Sequence, residues 1–295
     1  MKLLIKNSRI ATHNTKLFHI LVNDKKIVKV FPISESICDL DFDQSYDARG
    51  NLIVPGMIDV HIHGAISHDM MDGAAESIQA VSKKCLQTGC TGFLVTSVTA
   101  STEMLERIID STKSVIGHEQ GAKILGIHLE GPYLNIEKKG MQSPEYIRMP
   151  DLKEMKKLVE RAEGLIKMVT IAPELPGALE VVDYLTSQNI IVAAGHTNAT
   201  YEEGITAFEH GVSHITHCCN AMPTIHHRNP GITVAALETE GISIQAIVDN
   251  IHLHPGMVRL MHKLKQPEQI VLITDALQAM GTGDGVITLV DMKLQ

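Results

Sequence analysis

Short runs rich in β-branched residues alternate with longer amphipathic segments from residue 51 to residue 275. The longer segments have apolar residues at helical spacing, and a helix between two strands allows those strands to lie parallel in one sheet. The strand-like runs are IVPGMIDV, GFLVTSV, KILGIHLE, KMVTIAP, IIVAAGH, VSHITH, ISIQAIVD and IVLITDA. Eight strand–helix repeats predict an α/β fold, namely a parallel (β/α)8 barrel of the TIM type.

The first 50 residues have a different pattern, with short apolar runs and no helical spacing. The stretch FHILVNDKKIVKVFP predicts a hairpin because the polar residues 23–26 separate two apolar runs. The acidic stretch DLDFDQSYD, which follows, is predicted as a loop. We expect residues 1–50 to form part of a small β-sandwich that residues 276–295 complete, with residues 51–275 as the barrel domain.

Charge, apolar stretches and cysteine spacing indicate which binding partners and which cellular location to expect. The formal net charge is −8, no basic run occurs and aromatic residues make up 3% of the chain, which disfavours nucleic acid as a partner. No apolar stretch reaches about 18 residues, so we expect no membrane span. The five cysteines lack the spacing of zinc knuckles, and the first residues do not resemble a signal peptide. These features predict reduced thiols and a cytoplasmic protein.

Polar residues end several of the predicted barrel strands. His61 and His63 end the first run, and because strand side chains alternate between faces, both imidazoles point the same way. Such a pair can bind one divalent cation, although two hydrogen-bonded core histidines would give the same pattern. The third, fifth, sixth and eighth runs end in Glu130, His196, His217 and Asp275. Barrel strands share one carboxyl end, and leaving these groups unpaired there would cost roughly 1–3 kcal/mol each, so the set predicts a metal centre.

The chain resembles the amidohydrolase barrels in the motif P-G-[FLM]-[IV]-D-x-H-x-H, which residues 55–63 match. Within that superfamily it is similar to the N-acetylglucosamine-6-phosphate deacetylases, in family order and over nearly the whole chain. The matching segments are HLEGPYLNIEKKG (128–140), APE (172–174), GHTNAT (195–200), THCCNAMP (216–223), RNPG (228–231), DNIHLHP (249–255) and TDALQAMGTGDG (274–285). Many amidohydrolases instead carry a carboxylated lysine at the end of strand four, whereas Lys167 lies at the beginning of that strand, which counts against hydantoinase or dihydroorotase.

The resemblance implies metal-dependent hydrolysis of the acetamide of N-acetylglucosamine 6-phosphate to glucosamine 6-phosphate and acetate, in amino-sugar catabolism or cell-wall recycling. It implies that Glu130, His196 and His217 bind the main metal, and that His61 and His63 match the second-metal ligands of members with two metals. We therefore expect one or two divalent ions. Zinc suits this ligation, and iron or another first-row metal is also compatible with it. Asp275 is expected to transfer the proton, although a metal ligand or a helix N-cap would also suit its position.

The resemblance also implies a sugar-phosphate site and a homodimer. The residues that match the phosphate-binding set are Asn220, Ala221, Arg228 and His252, and in the family the arginine is typically offered by the partner subunit. Gln142 stands where the family usually has a histidine that orients or polarises the substrate carbonyl. We expect Gln142 in the substrate pocket, with slower turnover or a shifted substrate as possible consequences.

Three functions remain open at this stage. The first is the deacetylase, the second is a deacylase for another N-acyl amino sugar phosphate, which Gln142 would suit, and the third is an inactive metal-binding barrel. The family chain normally continues well past residue 295, so we expect a truncated or naturally shortened chain in which the eighth strand lacks its covering helix and exposes apolar surface.

Overall fold

A computed structural model describes residues 1–283, 287–289 and 292–294 of the chain. Contacts within it group the chain into two compact units, Met1–Gly56 and Met57–Gln295. Each unit contains its own sheet.

The first unit is an open sheet of five strands within the described residues. The strands are β1 (Lys2–Ile10), β2 (His13–Asn23), β3 (Lys26–Pro32), β4 (Gln44–Asp47) and β5 (Leu52–Ile53). The predicted hairpin is confirmed, because β2 and β3 pair antiparallel with Asn23 opposite Lys26. The two turn residues, Asp24 and Lys25, have φ values of 46° and 66°, the left-handed pair that a two-residue hairpin turn requires.

Two features of this unit differ from the sequence-based predictions. The acidic stretch contains β4, which pairs parallel with β1, and all four of its side chains are exposed, so it carries no apolar alternation that could have indicated a strand. The compact unit also extends to Gly56 rather than ending at residue 50, because β5 pairs with Arg9 and Ile10 of β1.

The second unit contains the predicted barrel strands and several short strands. Its strands are β6 (Met57–Ile62), β7 (Gly64–Ala65), β8 (His68–Asp69), β9 (Cys90–Ser97), β10 (Lys123–Glu130), β11 (Ile166–Ile171), β12 (Ile191–Ala194), β13 (Val212–Ile215), β14 (Ser243–Ala246), β15 (Ile270–Leu272), β16 (Ile287–Leu289) and β17 (Met292–Leu294). In the described part of the chain, eight of them form one parallel sheet in the order β15-β14-β13-β12-β11-β10-β9-β6. The predicted (β/α)8 architecture is therefore confirmed.

The two ends of this curled sheet are joined just beyond β15. Ile62 of β6 forms a parallel bridge with Ala276, and the backbone N–H of His63 donates to the Ala276 carbonyl at 2.8 Å. The backbone N–H of Asp275 donates to the His61 carbonyl at 2.9 Å. This junction brings Asp275 beside the two histidines of the first strand.

Helices follow most of the barrel strands. They are α1 (Ala75–Gln87), α2 (Thr102–Val115), α3 (Leu152–Ala162), α4 (Ala178–Ser187), α5 (Tyr201–Glu209), α6 (Gly231–Glu238) and α7 (Pro255–Leu264), with short 3-10 turns at Met70–Asp72, Ile136–Lys138 and Pro267–Gln269. Helix α3 shows the general design: Asp151 caps its first turn, and Met155, Leu158 and Ala162 bury one face. None of the helices in the described residues has the length and apolar content needed to cross a bilayer.

Side chains inside the barrel form an apolar layer and, beyond it, a polar one. Successive side chains of β9 point to opposite faces of the sheet. Phe93 and Val95 pack into the core beneath the helices. Leu94 points into the barrel, where it packs with Met168 and Ala193. Further along the same interior face the residues become polar and remain fully buried, as with Thr96 of β9. The barrel thus presents polar groups toward the carboxyl ends of its strands.

The pair β16–β17 is an antiparallel hairpin, with Ile287 opposite Leu294. Residues 284–286, 290, 291 and 295 lie outside the described residues. That residues 276–295 complete the domain formed by residues 1–50 remains a prediction.

Candidate active site

The six residues that the sequence placed at strand ends lie together in the second unit. They form two groups in which the possible ligand atoms are all within 4.8 Å of one another. Hereafter the main cluster is Glu130, His196 and His217, and the second cluster is His61, His63 and Asp275. The predicted convergence of these side chains at one end of the barrel is what the structure shows.

The spacing of ligand atoms in the main cluster suits a small divalent cation. Glu130 Oε1 lies 3.2 Å from both His196 Nε2 and His217 Nε2, and the two nitrogens are 3.1 Å apart. Tetrahedral bonds of about 2.0–2.1 Å would separate neighbouring ligand atoms by roughly 3.3–3.4 Å. An ion could bind here with only small shifts of the side chains.

The second cluster has similar spacing and lies against the same carboxylate. His61 Nε2 and His63 Nε2 are 3.0 Å apart, and Asp275 Oδ1 lies 3.4 Å and 3.1 Å from them. Glu130 Oε1 is 3.3 Å from His61 Nε2, and its Oε2 is 3.5 Å from His63 Nε2. Glu130 therefore stands between the two clusters and can serve both.

The outer nitrogen of each imidazole has an oxygen partner. Nδ1 of His63, His196 and His217 donates to a main-chain carbonyl, at 3.3, 2.9 and 3.2 Å respectively, and Nδ1 of His61 donates to a side-chain oxygen at 3.0 Å. Because each Nδ1 carries the hydrogen, a neutral ring presents the lone pair of Nε2 to the centre. In their neutral state the four rings, together with the two carboxylates, could supply the ligand atoms for a cation.

Burial and charge act in opposite directions on these groups. Burial would lower the pKa of His61, but the carboxylates of Asp275 and Glu130 outweigh it and raise the pKa to about 10. Burial would raise the pKa of Glu130, but His61 and His196 hold it well below its usual range. Strong mutual attraction of buried histidines and carboxylates is typical of functional sites.

Three of the six residues adopt a backbone conformation that is unusual for residues with a side chain. The φ angles of His196, His217 and Asp275 are 47°, 27° and 51°. A positive φ costs a non-glycine residue on the order of 1 kcal/mol, and such residues occur in turns and also cluster at active sites. In each case the turn follows a barrel strand and directs the side chain to the cluster.

A cavity of about 310 Å³ opens beside the two clusters. Its walls include four of the five predicted substrate-binding residues: Gln142, Asn220, Ala221 and His252. The Nδ1–H of His252 donates to Asp249 Oδ2 at 2.7 Å, and the hydrogen bonds from His252 hold the Asp249 pKa at about 2. The cavity thus combines candidate metal ligands with polar groups that could bind a charged ligand.

Gln142 has two partners at the cavity wall. Its Oε1 accepts from the backbone N–H of Thr99 at 2.7 Å, and its Nε2 donates to Glu130 Oε2 at 2.6 Å. The side chain therefore holds Glu130 in place, a contact that its predicted role toward the substrate did not include.

Arg228 lies outside this cavity. It is exposed, its guanidinium contacts His227 Nε2 at 3.0 Å, and it lines a separate cavity with Tyr201 and Asn229. This cavity therefore lacks the arginine that was predicted for the phosphate site.

Sequence reasoning missed Gln245, which is fully buried and accepts from His61. The one indication in the sequence was an amide side chain inside the apolar run ISIQAIVD. The carbonyl partners at Thr96, Lys138 and Asn220 had no indication at all, because every residue type carries the same main-chain oxygen.

Comparisons with known proteins identify the family of this chain. The sequence model of the Amidohydrolase family matches residues 52–287. The N-acetylglucosamine-6-phosphate deacetylase of Bacillus subtilis (strain 168) is 36% identical over 291 residues, covering 96% of this chain and 73% of that protein. The N-acetylgalactosamine-6-phosphate deacetylase of Escherichia coli O157:H7 is 34% identical over 278 residues, covering 93% and 71%.

A solved structure extends the likeness to three dimensions. The crystal structure of the N-acetylglucosamine-6-phosphate deacetylase from Pasteurella multocida matches with a TM-score of 0.90 and 28% identity, covering 99% of this chain and 76% of that one. The chain therefore belongs to the amidohydrolase family, in the branch that contains the N-acetylglucosamine-6-phosphate deacetylases.

Proposed function

We propose that this chain hydrolyses the acetamide of N-acetylglucosamine 6-phosphate to glucosamine 6-phosphate and acetate, in amino-sugar catabolism or cell-wall recycling. The observation that carries the proposal is the pair of clusters that share Glu130 beside a cavity lined by Asn220 and His252. Family membership supplies the reaction class, and the cavity lining supplies groups for a sugar phosphate.

The main cluster would hold one divalent cation, and the second cluster would hold another. When bound, the cation supplies Lewis acidity, which makes water a nucleophile at neutral pH and polarises the amide carbonyl. Imidazole and carboxylate ligands at these distances favour zinc, and iron or another first-row ion would also be accepted.

Asp275 is the proposed proton carrier. Burial would raise its pKa, but His61 and His63 outweigh that effect and keep the pKa below its usual range, so the carboxylate is ionised at neutral pH and can accept a proton from water. Its side chain is 23% exposed, whereas those of His61, His63 and Glu130 are at most 3% exposed. Asp275 thus reaches the cavity, where it can pass the proton to the leaving amine.

The phosphate would be held by cavity-lining residues outside the two clusters. We assign this role to the backbone and side chain at Asn220 and Ala221, and to His252, whose ring is oriented by its hydrogen bond to Asp249 at 2.7 Å. Arg228, exposed and outside the cavity, would reach the phosphate from the partner subunit of a homodimer. A cytoplasmic location remains a prediction from cysteine usage.

The test is acetate release from N-acetylglucosamine 6-phosphate by the zinc-loaded chain, beside His196→Ala as a control. We expect turnover that disappears in the variant, because His196 is a ligand of the main cluster. N-acetylgalactosamine 6-phosphate, assayed in parallel, identifies the preferred sugar. A chain that binds zinc but releases acetate from neither compound would contradict the proposal and favour an inactive metal-binding barrel.

A further inference from the structure

Gln245 lies on β14, fully buried between the two clusters. Its Oε1 accepts the Nδ1–H of His61 at 3.0 Å and the backbone N–H of His217 at 3.1 Å. A backbone N–H can only donate, so this second contact establishes which end of the amide is the oxygen. The amide nitrogen points the other way and lies 3.5 Å from Met168 Sδ.

The orientation of the amide determines the state of the His61 ring. Because Oε1 can only accept, Nδ1 of His61 must carry the hydrogen, and Nε2 is left to face His63 and Asp275. Nδ1 of each of the other three imidazoles donates to a main-chain carbonyl, at Thr96, Lys138 or Asn220. A side-chain substitution at any of these three positions leaves the carbonyl in place. His61 is thus the one ligand histidine of the described site that a side chain orients.

We infer that Gln245 is a positioning residue that orients His61 and thereby sets how tightly the second cluster holds its cation. The inference rests on the proposed metal binding and names the residue that decides between one bound ion and two. Gln245 also contacts the main chain of His217, but the ring of that histidine is held independently by the Asn220 carbonyl at 3.2 Å. The main cluster therefore depends much less on Gln245 than the second cluster does.

The experiment compares two substitutions by titration of the metal-free protein with Co²⁺ and Zn²⁺. Gln245→Met keeps the approximate volume and removes the acceptor, whereas Gln245→Glu keeps an acceptor oxygen. We expect Gln245→Met to weaken binding of the second ion by about 10- to 100-fold while the first ion is held almost as before, and Gln245→Glu to restore the second ion.

Met168→Leu is the matched control. It removes the contact at the nitrogen end of the amide, conserves volume and leaves Oε1 untouched, so both ions should bind as in the original chain. Circular dichroism and thermal melts verify that all three variants fold.

A second readout reports the hydrogen bond itself. In the zinc-loaded protein with labelled histidine, the Nδ1–H of His61 should give an NMR signal protected from exchange with water, assigned by its loss in His61→Asn. We expect Gln245→Met to lose that protection and Gln245→Glu to keep it.

Neither readout requires turnover, so a chain that binds zinc without deacetylating any sugar would refute the proposed activity and still decide this inference. Three outcomes would overturn the inference. They are an original chain that takes up no second ion, a Gln245→Met variant that binds both ions normally, and equal weakening at both clusters.

Discussion

The main and second clusters share Glu130 but differ in how their other ligands are supported. His196 and His217 follow adjacent parallel strands, β12 and β13, and their rings are held by main-chain carbonyls. The second cluster needs Asp275 to reach His61 across the junction that joins the ends of the sheet, and it needs the side chain of Gln245. Support by main-chain groups tolerates substitution better, so the second cluster should be the one that is lost more easily.

The largest expected effect comes from Glu130→Gln, which alters the residue that both clusters share. The amide keeps the shape but loses the charge, so both cations should bind poorly. Acetate release should fall by at least about 10³-fold, because Lewis-acid stabilisation of the transition state is worth several kcal/mol. Metal analysis after dialysis and steady-state assays would measure both effects.

The control for that experiment is Glu180→Gln, which makes the same chemical change at an exposed position in α4. It should leave both metal content and turnover unchanged. Normal retention of either ion by Glu130→Gln would mean that the carboxylate is not shared.

A smaller effect is expected from His63→Ala, which removes a ligand of the second cluster alone. An ion at about 1,000 times its dissociation constant stabilises the folded state by about 4 kcal/mol. The original chain should gain such a contribution from each cluster, and His63→Ala should keep only that of the main cluster. Chemical unfolding with and without a chelator measures the difference. Loss of the entire metal-dependent contribution would show that the two clusters are not separable.

The smallest effect concerns His214 of β13, a buried histidine outside both clusters. Burial lowers its pKa from 6.5 to about 4, and its Nε2 has no hydrogen-bond partner in the described structure. Between those values the unfolded chain binds a proton that the folded chain does not. Stability from this group is therefore complete above pH 6.5 and falls as the pH drops to 4, by up to about 3 kcal/mol.

The measurement is the free energy of unfolding of the metal-free protein between pH 7 and pH 4. His214→Gln, which does not titrate, should remove this part of the pH dependence. An unchanged slope in the variant would contradict the low pKa of His214. The result would distinguish a buried histidine that lies outside both clusters from the buried histidines that a bound metal would stabilise.

The predictions succeeded where one physical rule connects sequence to position. Parallel strands share their carboxyl ends, so residues at the ends of apolar runs, such as Glu130 and His196, had to converge. They failed where a residue acts through a partner distant in sequence. The hydrogen bond from Gln142 to Glu130 and that from His61 to Gln245 join residues 12 and 184 positions apart, and no local pattern reports such pairing.

By itself, the sequence determined the barrel and the identity of the candidate metal ligands, because alternating periodicity and strand-end chemistry are local properties. The family came from the resemblance of its motifs to those of known amidohydrolases. Only the tertiary structure decided that the ligands divide into two clusters around one carboxylate. It also decided that Gln142 and Gln245 are hydrogen-bonded to two of them, Glu130 and His61, and that Arg228 lies apart from the cavity. These outcomes depend on how the curled sheet brings distant strands together, and a distance between two side chains exists only once the whole sheet has formed.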